Sequence, residues 1–333
     1  MTPEGTDTGA KAETAGAPRI SLWGMVEASG ALGVALSLAG FAGEAHWLLE
    51  LTTHFRAQYL VFLLVMAGLL AVGRRRRFAT VCLVCAALNA AVLAPWIVPA
   101  SSVKPAGASL RLMALNVHTA NTRHDLVLGE IRRVQPDVLL LMEVNHAWVL
   151  ALQDLSKTLP HRVIIPREDN FGIALFSRLP LTSSEVINWP DDFGVPSILA
   201  VIEPSGQPVF VVATHPLPPA SKENAALRNE QLEKIAGAVS GQTLPAVVLG
   251  DLNATPWSPH FRNLERAASL RDTGRRSGWH PTWPSELPLL WIPLDHCLVS
   301  KEIPYATRTV GNYVGSDHFP IIVDVVLPPH QRP

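Results

Sequence analysis

Three apolar runs in the first hundred residues constrain this chain more than anything else in it. Ile20 to Gly43 is rich in Leu, Ala, Gly and Val and holds one acid, Glu27. Ala57 to Gly73 is uncharged, and so is Phe78 to Val98 over 21 residues. A helix needs about 20 apolar residues to cross a bilayer. The third run meets that length, the second comes close, and the first meets it if Glu27 lies at an interface. None of them shows the polar face that a surface helix of a soluble domain presents. A signal peptide has one shorter run, not three in series. The sequence therefore predicts a bundle of about three transmembrane helices over residues 20–98 (20–43, 57–73 and 78–98). Residues 1–19, small and polar, read as a disordered tail ahead of it.

Charge orients the bundle. Arg74, Arg75, Arg76 and Arg77 fill the short link between the second and third runs, and short loops rich in Lys and Arg stay cytoplasmic. The third run then starts inside and ends outside. The expectation is a multi-pass protein of the plasma (inner) membrane, with everything after Pro99 on the extracytoplasmic side. The Glu44–Arg56 link, with two Glu and one Arg, suits the outer face, and Trp47 and Trp96 fall where an interfacial aromatic belt would put them. Cys82 and Cys85 lie inside the third run, where thiols behave as small apolar groups. Three cysteines in all make no disulfide framework.

After a linker at 99–108 the chain changes character. Only 17% of the whole chain is charged, below the quarter usual for soluble domains, but most of that charge falls here. Residues 99–333 carry 20 Lys+Arg against 22 Asp+Glu, which gives no bulk basic surface for tracking a nucleic-acid backbone. Residues 109–328 alternate short apolar runs with polar loops. Strands are predicted at 110–117, 138–142, 172–176, 198–202, 209–213, 246–249, 296–299 and 321–326, with amphipathic helices at 124–134, 224–239 and 259–268. Strands mixed with few helices predict an α/β sandwich of stacked sheets.

Polar residues cluster at the ends of these strands. Asn116 follows LMAL, Glu143 follows VLLLM, His215 follows VFVVAT, and Asp251 and Asn253 follow AVVLG. Asp295 opens LDHCLVS, and Asp317 and His318 precede FPIIVDV. Acids at the mouths of apolar strands are costly to desolvate unless they are paired or bind metal. Most of these residues alone read as well as turn or surface groups, Glu143 less so because it follows five apolar residues; the ordered series is what predicts a site.

The segments LNVHT, LLLMEVN, THPLPP, GDLNATPWS, LDHCLVS and GSDHFPIIVDV, in this order, resemble the endonuclease/exonuclease/phosphatase superfamily, and the preceding helices resemble its membrane-anchored bacterial branch. The resemblance spans roughly Ser109 to Leu327. It implies a four-layer α/β sandwich of two mixed β-sheets flanked by helices, and phosphoester hydrolysis with Mg2+ or Mn2+. Glu143, a carboxylate leaving a rigid strand, is the best metal ligand, with Asn116 beside it; Asp317 would contact the metal, fix the His318 imidazole, or both. By the same resemblance Asp251 orients or deprotonates the attacking water, and Asn253 and His318 hold phosphoryl oxygens. His215 would protonate the leaving group, with Asp295 fixing its tautomer. His296 and Arg228 read as structural.

Two loops are candidates for substrate selection: 188–196, and 279–291 with its three Trp and three Pro. The second reads either as a rigid lid or as an apolar lip against lipid. Arg271, Arg275 and Arg276 just before it are placed either at a diphosphate or in solvent. The favoured function is a membrane-anchored, divalent-metal-dependent phosphoesterase whose partners are the bilayer and a phosphoester, a membrane lipid phosphate among the candidates. A nuclease on DNA or RNA is the alternative that charge disfavours, and a catalytically degenerate binding module is the third.

Overall fold

The computed structural model describes residues 21–99, 107–190, 194–275 and 277–327. The tail at 1–19, most of the linker, Arg276 and part of the 188–196 loop fall outside them. The N-terminal region comprises α1 (Leu22–Ala39), α2 (Trp47–Thr53), α3 (Arg56–Val72) and α4 (Arg76–Ile97). By length and composition, Leu22–Ala42 and Arg76–Ile97 can each cross a membrane; α2 and α3, bent by 70°, add a third span if the pair counts as one. Glu27 pairs with Arg75 at 3.3 Å, so the one acid of the first run sits at the arginine end of the bundle, as its length required. At the other end Arg56 donates to the Ser37 carbonyl at 2.9 Å and Asn89 donates to the Ser37 hydroxyl at 2.7 Å.

The remainder is built from β1 (Ser109–Asn116), α5 (His124–Val134), β2 (Val138–Met142), α6 (His146–Ala151), β3 (His161–Ile165), β4 (Ile173–Ser177), β5 (Leu181–Asn188), β6 (Pro196–Ile202), β7 (Val209–Ala213), α7 (Lys222–Ser240), β8 (Ala246–Asp251), α8 (Pro259–Ala267), β9 (Leu270–Asp272), β10 (Asp295–Ser300), β11 (Tyr305–Val310) and β12 (Ile321–Val326). Two six-stranded mixed sheets form, in the orders β11-β12-β1-β2-β4-β3 and β5-β6-β7-β8-β10-β9. Period-two alternation sorts each strand's side chains to two faces. Leu110, Leu112 and Ala114 of β1 meet Ile198, Val211 and Leu249 of the other sheet between the layers. Met113 and Leu115 face outward onto Ile131 of α5 and Trp148 of α6. On the opposite outer face Val212 and Val248 pack on Ile235 of α7 and Phe261 of α8. The result is the expected four-layer sandwich.

Strand direction gathers the site. β1 and β2 run parallel with Asn116 opposite Met142, and β7 and β8 run parallel. The C-terminal ends of these four strands therefore open on one edge. β10 and β12 run antiparallel to β8 and β1, so their N-terminal ends, which carry Asp295 and follow Asp317 and His318, reach the same edge.

Candidate active site

Asn116, at the end of β1, donates through Nδ2 to Glu143 Oε1 at 2.9 Å and faces Asp251 Oδ2 at 3.5 Å. Its Oδ1 accepts from the His118 amide at 3.0 Å. Glu143 follows β2 with φ of +62°, a left-handed conformation rare for a glutamate and worth roughly 1–3 kcal/mol of strain. Its carboxylate is held there by Asn116 and by the Thr119 amide at 3.0 Å. Asp251 caps β8 almost wholly buried, and its amide approaches the Met142 sulfur at 3.1 Å, which joins the two sheets at this edge. Gly250 lets the ends of β7 and β8 come close, since a Cβ there would lie 1.9 Å from the Thr214 carbonyl oxygen.

The imidazole of His318 sits between two carboxylates, with Nδ1 2.8 Å from Asp295 Oδ2 and Nε2 3.5 Å from Asp251 Oδ2. His215 reaches the same Asp251 oxygen through Nε2 at 3.6 Å. Burial alone would lower the His318 pKa, but Asp295 and Asp251 outweigh it and lift the value to about 10. Burial opposes ionisation of Asp295 as well, but the His318 charge prevails and holds that carboxyl below its usual range. For Asp251 burial wins: together with Asp295 it pushes the carboxyl up against the pull of both imidazoles. Asp317 is the more open acid; Trp283 Nε1 donates to its Oδ2 at 3.2 Å.

One pairing differs from expectation. Asp295 orients His318, not His215, because β8 lies between β7 and β10 and Asp295 stands directly opposite Asp251. Asp317 is likewise displaced from orienting His318 and instead faces His118 Nδ1 at 3.8 Å. Asn253 places its Nδ2 on the Pro216 carbonyl at 2.9 Å. His296 is fully buried between Asp272 and the Ala254 carbonyl, as a structural residue would be. Arg271 donates to the Ile303 carbonyl and Arg275 lies over the Trp96 ring, so neither reaches the site.

The eight strand-end residues, apart from Asp295 behind His318, line one cavity of about 590 Å3. Its other walls went unread in the sequence: Phe171, whose ring centre is 5.7 Å from that of His215, and Trp47, Leu51, His54 and Phe55 from the N-terminal region. The signal for the latter was Glu50, a lone acid in WLLELTT. It is buried, accepts from Ser258 Oγ at 2.6 Å and pairs with Arg228, whose Nη1 donates to the Asn253 carbonyl at 2.7 Å.

The donor set fits a hard divalent cation. Four carboxylates and an amide converge on this edge, and Oδ1 of Asp317, a residue that lines the cavity, accepts no hydrogen bond. Asp251, Asp295 and His318 each offer a ligand atom within 4.8 Å of one another. Those three satisfy one another as a carboxylate–imidazole–carboxylate relay, whereas Glu143 and Asp317 line the cavity outside it.

The profile of the Endonuclease/Exonuclease/phosphatase family matches residues 113–318. No curated protein sequence matches the chain. Among solved structures, an endonuclease/exonuclease/phosphatase from Beutenbergia cavernae DSM 12333 is 21% identical over 66% of this chain and 72% of its own, with a TM-score of 0.56. TDP2 of D. rerio, complexed with a single-strand DNA product, is 18% identical over 65% and 98%, at 0.55. Sphingomyelinase C from Streptomyces griseocarneus is 16% identical over 66% and 99%, at 0.52. At these identities the likeness is one of fold.

Proposed function

Because the chain belongs to the endonuclease/exonuclease/phosphatase family, whose members hydrolyse phosphoester bonds, we propose that it is a membrane-anchored phosphoesterase. In this reading it uses a divalent cation, Mg2+ or Mn2+, on the extracytoplasmic face of the plasma membrane. The observation that carries the reading is the shared cavity of Glu143, Asp251, Asp317 and His318. Glu143 and Asp317, with Asn116 beside them, would hold the cation. A bound divalent cation neutralises phosphoryl charge and makes a coordinated water acidic.

The rest falls to side chains. Asp251, with its raised pKa, orients and deprotonates the attacking water. His318, kept protonated by Asp295, donates to the phosphoryl oxygen on which charge develops. Asn253 has one amide proton on Pro216 and a second for another phosphoryl oxygen. His215, at the cavity wall, protonates the leaving oxygen. Its Nε2 faces Asp251 Oδ2 at 3.6 Å.

The extracytoplasmic placement rests on the four arginines. α4, about 33 Å long at 1.5 Å per residue, runs from Arg76 to Trp96, whose ring lies 6.3 Å from that of Trp257 in the catalytic region. In this reading the arginine link and the cavity lie on opposite sides of the bilayer.

The test is a substrate panel on the purified full-length chain in detergent, with Mg2+ or with chelator: polyprenyl diphosphate, phospholipid, single- and double-stranded DNA, and a generic p-nitrophenyl phosphodiester. Metal-dependent hydrolysis of a lipid or the generic ester supports the reading. Preference for DNA would favour the nuclease alternative, and inertness toward the whole panel would leave the degenerate module.

A further inference from the structure

A phosphoryl group does not fill a cavity of about 590 Å3, a volume suited to a ligand of tens of atoms. Much of the remaining wall is apolar and comes from the membrane region. Trp47, Leu51 and Phe55, spaced by four residues and only partly buried, line it together with Phe171, Ile292 and Leu294. Polar contacts fix the orientation of this segment. Glu50 is locked between Arg228 and Ser258, and His54 Nδ1 lies 2.9 Å from Thr255 Oγ1. The apolar trio is therefore presented to the cavity by contacts directed into the catalytic region itself.

The mouth is apolar too. In the adjoining 279–291 loop, Leu287, Leu289 and Leu290 are 56%, 88% and 43% exposed. Gln58, at the start of α3, donates to the Trp291 carbonyl at 3.0 Å, which ties this lip to the bundle. Contiguous exposed leucines beside membrane-length helices are suited to lipid.

We propose that α2, with Phe55 in the turn after it, is the chain-binding element of the phosphoesterase site and that the substrate is a phosphoester bearing a long alkyl or isoprenyl chain. The chain lies against Trp47, Leu51 and Phe55 while the phosphoryl group meets Glu143 and His318. The inference rests on the phosphoesterase reading above. A nucleic-acid strand would stack bases on the aromatic rings but would leave the aliphatic Leu51, Ile292 and Leu294 unmatched, whereas a hydrocarbon chain covers both.

The experiment measures kcat/KM of the full-length chain in detergent on p-nitrophenyl phosphodiesters carrying ethyl, decyl or citronellyl groups, the last two separating straight from branched chains. The wild type is expected to prefer at least one C10 ester over the ethyl ester by tenfold or more, since each buried methylene favours binding. Leu51→Gln and Trp47→Ala should cut that C10-to-ethyl ratio at least fivefold. Equal rates on all three esters in the wild type overturn the inference by themselves, even if both variants fail to fold. Folded variants that keep the ratio overturn it as well. No hydrolysis of any ester by the wild type instead strikes at the phosphoesterase reading.

Discussion

The ion pair between Glu50 and Arg228 makes a quantitative claim about how the N-terminal helices and the two-sheet region hold together. The two side chains are 1% and 0% exposed, so water does not screen them. Burial pulls the Arg228 pKa down, while Glu50 supports its charge. Removing one partner of such a pair leaves an uncompensated buried charge and costs about 3–5 kcal/mol, whereas replacing both by apolar groups of similar size is often neutral. Glu50→Gln keeps the shape and removes the charge. It should lower stability by about 3–5 kcal/mol, which for a region of this size is a fall of roughly 6–20 °C in the unfolding midpoint. The double variant Glu50→Met/Arg228→Met should recover most of that loss, a coupling visible in a double-mutant cycle. Thermal unfolding of the full-length chain in detergent, followed by tryptophan fluorescence, reads both. Activity should fall with the single variant too, because Arg228 also holds the backbone of Asn253. A single variant within 1 kcal/mol of wild type, or a double variant whose loss is the sum of the two singles, would refute the docking role.

Two further predictions concern the sandwich. Asp272 is buried against His296 and Arg308; burial works to raise its pKa, but these partners win and hold it at about 2. A depressed carboxylate contributes stability above its unfolded value, near 3.9, and loses it as pH falls toward 2. The contribution is about 2–3 kcal/mol, so urea unfolding between pH 5 and 2 should show a shallower acid slope in Asp272→Asn; an unchanged slope contradicts the assignment. Gly250→Ala should cost roughly 1–3 kcal/mol or more and lower activity, because the new methyl forces β7 and β8 apart where they carry His215 and Asp251. A variant with wild-type stability would show that this edge is looser than described.

The sequence was most legible where burial is uniform. Val138–Met142, Val209–Ala213 and Ile321–Val326 are strands at the bounds that their apolar runs predict, and the helix at His124–Val134 follows its amphipathic spacing. Edge strands escaped. β5, TSSEVIN after its leucine, is mostly exposed, and β11 pairs on one side with only β12; neither has a core face to enforce an apolar pattern. The eight polar strand ends were readable because a polar residue terminating a buried strand has to be accounted for. Their pairings were not, since whether Asp295 meets His215 or His318 depends on strand order, and strand order is not local. The α2 wall stayed hidden for a related reason: the charge arithmetic treated Glu44–Arg56 as a solvated link, and the partner of Glu50 lies 178 positions away.

The central claim, that dispersed strand-end residues make one divalent-cation site, is tested most directly by metal binding itself. Mn2+ titrated into the metal-free full-length chain and followed by electron paramagnetic resonance should show saturable binding. In Glu143→Gln that binding should weaken at least tenfold, with the circular dichroism spectrum unchanged. Wild-type affinity in a folded Glu143→Gln chain, or no saturable binding in the wild type, would contradict it.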